Sequence, residues 1–311
     1  MSKLEILKPK QLQKGDTIAI ISPSGSIPYP EKFERAKKHF EAEGYKVLIY
    51  PHARNKAGYL AGSDEERLSD LMEAFSNLDV TMILTSRGGY GATRYLDQIN
   101  YDIICSNPKI FVGYSDITAL HSAIFKNTGL VTFHGPFALQ DFGGETVDEY
   151  TEKSFWNTIS GNKEIENVFD YTPIYGGKTT GQLVGGNLTV LTCLIGTEFL
   201  PDFKGKILFL EDVQEPLYKL DRMLTQLRLS GVFDEIGGLL IGKFSDIGEN
   251  QAEQEKLAID LVKDLTQSLN IPVGYGFSAS HLTQKATLPL NVEYEFNASS
   301  GELIVLEDFL S

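Results

Sequence analysis

The residue of this sequence best placed for chemistry is a serine at the corner between an apolar run and a helix, within residues 110–120. The run ends at Gly113, and Ser115 and Asp116 follow it before a segment predicted to be helical. Such a corner lifts the serine hydroxyl beside the free backbone N–H groups of a helix N-terminus, which can stabilise an oxyanion. Ile117 replaces the second glycine of the G-x-S-x-G pattern. From this stretch alone, a helix cap by Ser115 or Asp116 is the better interpretation.

A serine nucleophile needs a base, and the chain has five histidines. His134 and His281 each follow a predicted strand, at a sheet edge where sites form in α/β folds. The pattern does not rank one above the other. His39 and His121 lie on predicted helices and His52 follows an early strand, and nothing near them indicates a role. We interpret those three as surface or core residues.

An orienting carboxylate for the base is predicted after the apolar run 207–210, where Glu211 and Asp212 follow directly. A charged group at the end of a buried strand requires a partner, which is an ion pair in a structural role and an imidazole in a catalytic one. The sequence leaves open which of the two carboxylates takes that place.

The glycine-rich loop 88–91 is a second place where the backbone can approach a ligand closely. It matches neither the P-loop nor the G-x-G-x-x-G pattern, so the sequence disfavours nucleotide binding. Close approach is enough, however, for a backbone N–H of this loop to donate to an oxyanion. Arg87 precedes the loop and is suited to bind a carboxylate, although an exposed arginine is an equally ordinary interpretation.

Composition limits the functions that such a site can serve. The 311 residues are 42% hydrophobic, enough for two ordinary domains, and the formal charge of −14 argues against non-specific binding to nucleic acid or anionic membranes. Cys105 and Cys193 lie far apart without metal-ligand spacing, so we expect reduced, buried thiols and no metal site. The charged stretch 1–10 lacks the apolar core of a signal peptide, so we expect a cytoplasmic, soluble protein.

Predicted strands and helices alternate through the first half of the chain, which is typical of a doubly wound parallel sheet with right-handed crossovers. The sequence therefore predicts an α/β fold with an N-terminal domain (1–145) that contains Ser115, a connecting segment (146–180) and a second domain (181–311) that contains Glu211 and His281. Strands are predicted at 17–21, 45–50, 80–85, 110–112, 130–133, 181–187, 206–210, 238–241, 272–277, 286–296 and 302–306.

Taken together, these motifs resemble the LD-carboxypeptidase family of serine peptidases, which remove the terminal D-alanine from murein tetrapeptides. Their order and spacing along nearly the whole chain make the match specific. The matching pieces are Ser22-Pro23-Ser24, Ser86-Arg87-Gly88-Gly89-Tyr90-Gly91, Gly113-Tyr114-Ser115-Asp116, Phe133-His134-Gly135-Pro136, Gly185-Gly186-Asn187-Leu188, Leu208-Phe209-Leu210-Glu211-Asp212, Asp221-Arg222-Met223-Leu224 and His281 with Leu288-Pro289-Leu290.

The resemblance implies roles that the patterns alone left open. It implies that Ser115 is the nucleophile, His281 the base and Glu211 the orienting carboxylate. It also implies a doubly wound N-terminal nucleophile domain and a smaller C-terminal mixed α/β domain, with the triad divided between the two. The same resemblance implies an oxyanion hole made by the backbone N–H groups of Gly89 and Asp116, and a homodimer.

Two positions depart from the family pattern, and the resemblance removes His134 as a candidate base. The family usually has glycine where this chain has Ser280 and Asn291, so the backbone near His281 is expected to differ from that of other members. By the same resemblance, His134 becomes a structural neighbour of the site.

A related branch resembles the microcin-immunity peptidases, which cleave peptidyl or aminoacyl nucleotides and typically carry a tryptophan in the loop before the Gly-Gly-Asn motif. Residues 170–181 contain Tyr171 and Tyr175 but no tryptophan, and Trp156 lies in a predicted helix where core packing is expected. This favours a murein tetrapeptide as the substrate, although a tyrosine could still stack on a base.

An exopeptidase of this kind must recognise a peptide backbone and a free carboxylate. We expect Arg87 and Gly88 of the glycine loop to bind the substrate, with Arg87 on the carboxylate. Asn187 is expected to bind the peptide backbone unless it is a simple helix cap. The chemistry requires no metal or organic cofactor. The alternative from another class is a non-catalytic module that binds a nucleotide or sugar through its glycine loops.

Overall fold

The N-terminal half forms a parallel sheet in the computed structural model, which describes residues 5–311. The first four residues, part of the charged stretch considered for a signal peptide, lie outside the described residues. Five strands lie in the spatial order β2-β1-β3-β4-β5, and each neighbouring pair is parallel, as the alternating pattern predicts. They are β1 (Thr17–Ile21), β2 (Lys46–Ile49), β3 (Val80–Thr85), β4 (Ile110–Gly113) and β5 (Thr132–His134).

The helices of this half begin and end where local sequence dictates. Ser63 and Glu66 form a capping box, with the Glu66 backbone N–H donating to the Ser63 hydroxyl at 3.2 Å. The glycine loop is followed by a 3₁₀ segment, Ala92–Gln98, in which Tyr95 leaves helical geometry and donates its buried hydroxyl to the Pro23 carbonyl. The helices are α1 (Glu31–Ala42), α2 (Asp64–Ser76), α3 (Tyr101–Ser106), α4 (Thr118–Thr128) and α5 (Glu149–Ile159).

The C-terminal half forms a mixed sheet in the order β6-β14-β13-β8-β9-β10-β11-β7, parallel at its centre and antiparallel at both flanks. The segment 146–180, predicted as a connection, supplies α5 and the two edge strands β6 and β7. The remaining strands are β6 (Glu164–Ile165), β7 (Thr172–Tyr175), β8 (Lys178–Asn187), β9 (Ile207–Val213), β10 (Gly238–Ser245), β11 (Val273–Tyr275), β12 (Leu288–Leu290), β13 (Glu293–Asn297) and β14 (Glu302–Val305). The remaining helices are α6 (Leu188–Cys193), α7 (Leu217–Leu229), α8 (Val232–Glu235) and α9 (Gln251–Thr266).

The prediction of one continuous strand over 286–296 is wrong, because the chain changes sheets there. Strand β12 pairs antiparallel with β5 of the N-terminal sheet, whereas β13 pairs with β8 and β14 of the C-terminal sheet. Asn291 lies between them at φ 69°, a left-handed conformation that asparagine tolerates better than most residues. The conformation also explains how asparagine can stand at a position where the family usually has glycine.

The two halves share one hydrophobic core. A single buried cluster contains Ile18 and Phe133 of the first sheet, Phe209 of the second, and Leu288 of the crossing strand. Burial of these apolar side chains fixes the halves against each other, since separating them would expose the whole cluster to water. Trp156 packs against this cluster, with its ring stacked on Tyr45 at 5.2 Å, as expected for a helical tryptophan in a core.

Both cysteines contradict the expectation of buried thiols. Cys105 and Cys193 are free and exposed, because each lies near the end of a short helix, α3 and α6, on the side turned away from the core. Within residues 5–311, no helix is long and apolar enough to cross a membrane.

Candidate active site

The corner at the end of β4 holds its serine in a strained backbone conformation. Ser115 has φ 61°, in the left-handed region that is costly for residues with a Cβ atom. It is partly exposed, whereas Tyr114 and Asp116 on either side are buried. Strain of this kind persists only where the surrounding structure imposes it, and it is concentrated at functional sites.

The alternative of a simple helix cap is not observed at this corner. The N-terminal position of the 3₁₀ turn Ser115–Ile117 and that of α4 both lack a capping side chain. The Asp116 carboxylate instead accepts from the backbone N–H of Ala92 at 2.9 Å, which ties the corner to the end of the glycine loop. Burial raises the pKa of Asp116, and its hydrogen bonds oppose that rise.

The glycine loop lies against the serine at its closest point. A Cβ atom on Gly88 would stand 2.7 Å from the Ser115 Cβ and 2.9 Å from its Oγ, so only glycine fits there without displacement. Gly89, the next residue, has φ 119°. Gly89 and Asp116, the two predicted oxyanion donors, line the same cavity as Ser115.

The predicted base and carboxylate form a hydrogen-bonded pair. His281 Nδ1 lies 2.6 Å from Glu211 Oε2, and because a carboxylate only accepts, Nδ1 carries the proton. Strand β9 continues through Val213 and does not end at residue 210, so Glu211 is fully buried within the sheet. Burial lowers the pKa of His281, but the charge and hydrogen bond of Glu211, with the charge of Asp212, outweigh it and raise the pKa above its ordinary value.

Tyr114, which sequence reasoning did not single out, joins this pair to the serine. Its ring packs edge-on against His281 at 4.8 Å between centroids and stacks on Phe137 at 4.1 Å. The Lys285 ammonium lies 5.5 Å from the centre of the same ring and pairs with Asp141 at 2.7 Å. The histidine of the C-terminal half thus contacts the residue directly before Ser115.

The other histidines occupy different surroundings. His134 is buried between the Tyr114 and Phe209 rings, burial lowers its pKa well below the usual value, and its Nδ1 has no hydrogen-bond partner among residues 5–311. His121 is buried and bonded to the Gly113 carbonyl, and burial lowers its pKa to about 4. His39 and His52 contact the carboxylates of Glu152 and Asp70 on the N-terminal half. Of the five, only His281 combines a buried carboxylate partner with contact to the serine corner.

Asn187 connects strand β8 to helix α4, which follows the Ser115 corner. Its side-chain oxygen accepts from Val190 N–H as a helix cap, and its backbone N–H donates to the Thr118 hydroxyl at 3.0 Å. A Cβ on the preceding Gly186, which has φ 141°, would stand 2.5 Å from that same hydroxyl oxygen. Close docking of β8 on α4 therefore depends on a glycine, a feature that the Gly-Gly-Asn motif signals in the sequence.

The Ser115 hydroxyl faces a cavity of about 720 Å³ between the two halves. The cavity is large enough for a peptide-sized ligand. Arg87 does not line it but lies in a neighbouring cleft with Tyr29 and Lys32, where its guanidinium donates to the Ser26 carbonyl at 3.1 Å. The cavity is lined by Gly89, Tyr90, Thr93, Arg94, Leu96, Asp97, Ser115, Asp116, Asn187, Thr189, Val190, Cys193, Leu194, Thr197, Phe199, Asp212, Val213 and Glu215.

Ser280, the other departure from the family pattern, has a specific structural role. Its buried hydroxyl accepts from the Lys243 backbone N–H at 2.6 Å, which fixes the residue before His281 to strand β10. The segment that carries the predicted base is thereby held to the C-terminal sheet.

Comparison with known proteins identifies the family. Models of the LD-carboxypeptidase N-terminal and C-terminal domains match residues 18–135 and 180–296. The chain belongs to the LD-carboxypeptidase family. This member is 38% identical over 300 residues to a probable murein peptide carboxypeptidase of Bacillus subtilis (strain 168), covering 96% of this chain and 94% of the relative.

Solved structures of both branches of the family share the fold of this member. MccF in complex with glutamyl sulfamoyl guanosine superposes with a TM-score of 0.89 at 28% identity, over 98% of this chain and all (100%) of that one. Muramoyltetrapeptide carboxypeptidase from Oxalobacter formigenes superposes with a TM-score of 0.84 at 32% identity, over 95% of this chain and 100% of that one. The two-domain α/β fold and a family-level carboxypeptidase activity follow, and a non-catalytic binding module is not supported.

Proposed function

We propose that this protein is a serine carboxypeptidase that releases the terminal D-alanine of murein tetrapeptides through an acyl-enzyme. The observation that carries the proposal is the hydrogen-bonded pair of His281 and Glu211, whose imidazole packs against Tyr114, the residue directly before the strained Ser115. A nucleophile, a base and an orienting carboxylate are the parts that acyl transfer requires.

In the proposed reaction, His281 Nε2 takes the Ser115 proton as the hydroxyl oxygen attacks the carbonyl of the L-centre residue before D-alanine. Backbone N–H groups of Gly89 and Asp116 stabilise the oxyanion, and Glu211 stabilises the imidazolium. Breakage of the C–N bond releases D-alanine, whose amine receives the proton from His281. Water then hydrolyses the ester by the same proton path, so no metal or organic cofactor takes part.

A direct test incubates the protein in parallel with a murein tetrapeptide and with an aminoacyl sulfamoyl adenylate, and measures the released D-alanine and amino acid by mass spectrometry. We expect D-alanine from the first and little product from the second. Release from the adenylate alone would replace the proposal with the microcin-immunity type of activity.

That second activity is favoured by one observation, the similarity to MccF with a bound aminoacyl nucleotide analogue. One feature of this chain favours the tetrapeptide. Tyr171 and Tyr175, the residues that could stack on a base, do not line the cavity, because their hydroxyls are bonded to carbonyls of the C-terminal half.

We assign the free carboxylate of D-alanine to Arg87, because its Nε lies 4.0 Å from the position of a Cβ atom on Gly89, a residue that lines the cavity. Replacement by glutamine is expected to raise KM for the tetrapeptide by roughly 10- to 100-fold, the worth of one charged hydrogen bond. Steady-state kinetics on the tetrapeptide and on its C-terminal amide provide the measurement. The Lys32→Gln variant in the same cleft is the control. An equal loss on acid and amide would show that Arg87 does not bind the carboxylate.

Cys193 lines the cavity and offers a reporter of substrate binding, with Cys105 on the outer surface as its internal control. In the Ser115→Ala variant, saturating tetrapeptide is expected to slow alkylation of Cys193 several-fold and leave Cys105 unchanged, because bound peptide excludes the reagent. Peptide mass spectrometry after timed iodoacetamide treatment measures both rates. Equal protection of the two cysteines, or no protection of Cys193, would show that the peptide binds outside this cavity.

We further propose a cytoplasmic homodimer that binds neither nucleic acid nor membrane. Analytical ultracentrifugation at several concentrations tests the dimer. A single species of monomer mass would contradict it.

A further inference from the structure

The second carboxylate of the site, Asp212, is held by neutral donors alone. It is 3% exposed and accepts four hydrogen bonds, from the Val213 and Thr189 backbone N–H groups, the Thr189 hydroxyl and the Asn187 amide, all at 2.8 to 2.9 Å. Within residues 5–311, it forms no ion pair. So many donors converge on a buried anion only where its position is closely fixed.

The Asn187 amide transmits that fixed position to the triad. One N–H of Asn187 Nδ2 points to Asp212 Oδ1 at 2.9 Å, and the same nitrogen lies 3.4 Å from Glu211 Oε1. The other Glu211 oxygen is bonded to His281. Asn187 therefore contacts the one Glu211 oxygen that the imidazole does not use.

We propose that Asp212 is a positioning residue of the active site: through Asn187 it prevents rotation of the Glu211 carboxylate and so keeps the His281 imidazole directed at Ser115. Without the Asp212 carboxylate, the Asn187 amide would lose the shorter of its two hydrogen bonds, and with it the fixed position from which it contacts Glu211. The inference rests on the proposed function for its kinetic readout, but not for its spectroscopic one.

The charge of Asp212 gives the role a signature that packing alone does not produce. The charged and titratable groups around His281 are Glu211 and Asp212 from β9, Lys285 and His134, with the Tyr114 ring against it. Burial and the neighbouring Glu211 raise the pKa of Asp212 to about 6. Asp212 helps to raise the pKa of His281, so its neutralisation should lower the pKa at which the base becomes active.

The test is the Asp212→Asn variant, with Asp234→Asn, an exposed acid on α8, as the matched control. We expect kcat on the tetrapeptide to fall roughly 10- to 100-fold with KM nearly unchanged, as for loss of preorganisation. We also expect the acidic limb of the kcat/KM profile to move to lower pH. Unchanged kcat, or a lower kcat with an unmoved limb, overturns the proposal.

A second measurement keeps the inference separate from the proposed function. The short hydrogen bond from His281 Nδ1 to Glu211 should give a low-field proton resonance by NMR. In Asp212→Asn that resonance should shift upfield or broaden by exchange, and an unaltered resonance overturns the proposal even if no tetrapeptide is cleaved. Should Asp212→Asn fail to fold, Thr189→Val, which removes only one donor to Asp212, should show the same changes at smaller size, and their absence likewise overturns it.

Discussion

Replacing Ser115 with alanine is expected to lower kcat on a murein tetrapeptide by roughly 10⁴-fold or more. In the proposed reaction the hydroxyl oxygen forms the acyl-enzyme, and alanine offers no nucleophile in its place. The proposed oxyanion donors at Gly89 and Asp116 remain, so a small residual rate above that in water is expected. D-alanine release measured over hours is sensitive enough to detect it. Turnover within tenfold of the unaltered protein would remove Ser115 from the mechanism.

The same position allows a paired test of backbone strain. Alanine keeps a Cβ atom at φ 61°, whereas glycine adopts that conformation without cost. Both Ser115→Ala and Ser115→Gly should therefore be inactive, but the glycine variant should be about 1 kcal/mol more stable than the alanine variant. Urea unfolding followed by circular dichroism gives the difference. A glycine variant less stable than the alanine variant would mean that the corner is not strained.

Replacing Glu211 with glutamine is the second change with a large expected effect, a fall in kcat of roughly 10³- to 10⁴-fold. Glutamine fits the same buried space but can present its amide N–H to His281 Nδ1, which then becomes the acceptor and leaves Nε2 protonated and unable to act as a base. Steady-state kinetics of tetrapeptide hydrolysis measure the fall. Glu235→Gln, on the exposed surface of α8, is the matched control. Loss of less than tenfold would contradict an orienting role.

The pH dependence of Glu211→Gln has a definite sign. Glu211 raises the pKa of His281, and the base must be neutral to act, so kcat/KM of the unaltered protein rises through that raised pKa. Without the Glu211 carboxylate, this acidic limb of the kcat/KM profile should move to lower pH. The raised pKa also contributes stability below the unfolded value of about 6.5, and this contribution disappears as pH rises through the folded pKa. The free energy of unfolding, measured below and above the pKa of His281, should show that Glu211→Gln loses more stability in the acidic range than in the basic range.

Much of the fold could be predicted because its signals are local. Strands β1 and β3 have the predicted bounds, and α2 begins at a capping box whose two residues are three positions apart. Hydrophobic periodicity, helix caps and turn residues depend on a few neighbouring residues, so they can be recognised directly in the sequence. The change of sheets at Asn291 has no local signal, because an apolar run interrupted by one asparagine resembles a single strand, and only the pairing partners show that the two parts join different sheets.

The sequence by itself determined the serine corner, the glycine loop and the family pattern that names Ser115, Glu211 and His281. The tertiary structure decided which neighbours these groups have. Tyr114 against His281, and Asn187 between two carboxylates, are contacts between residues far apart in the chain. Contacts of that kind depend on how two sheets dock through a shared core, and no local pattern encodes the distance between side chains that meet only after docking.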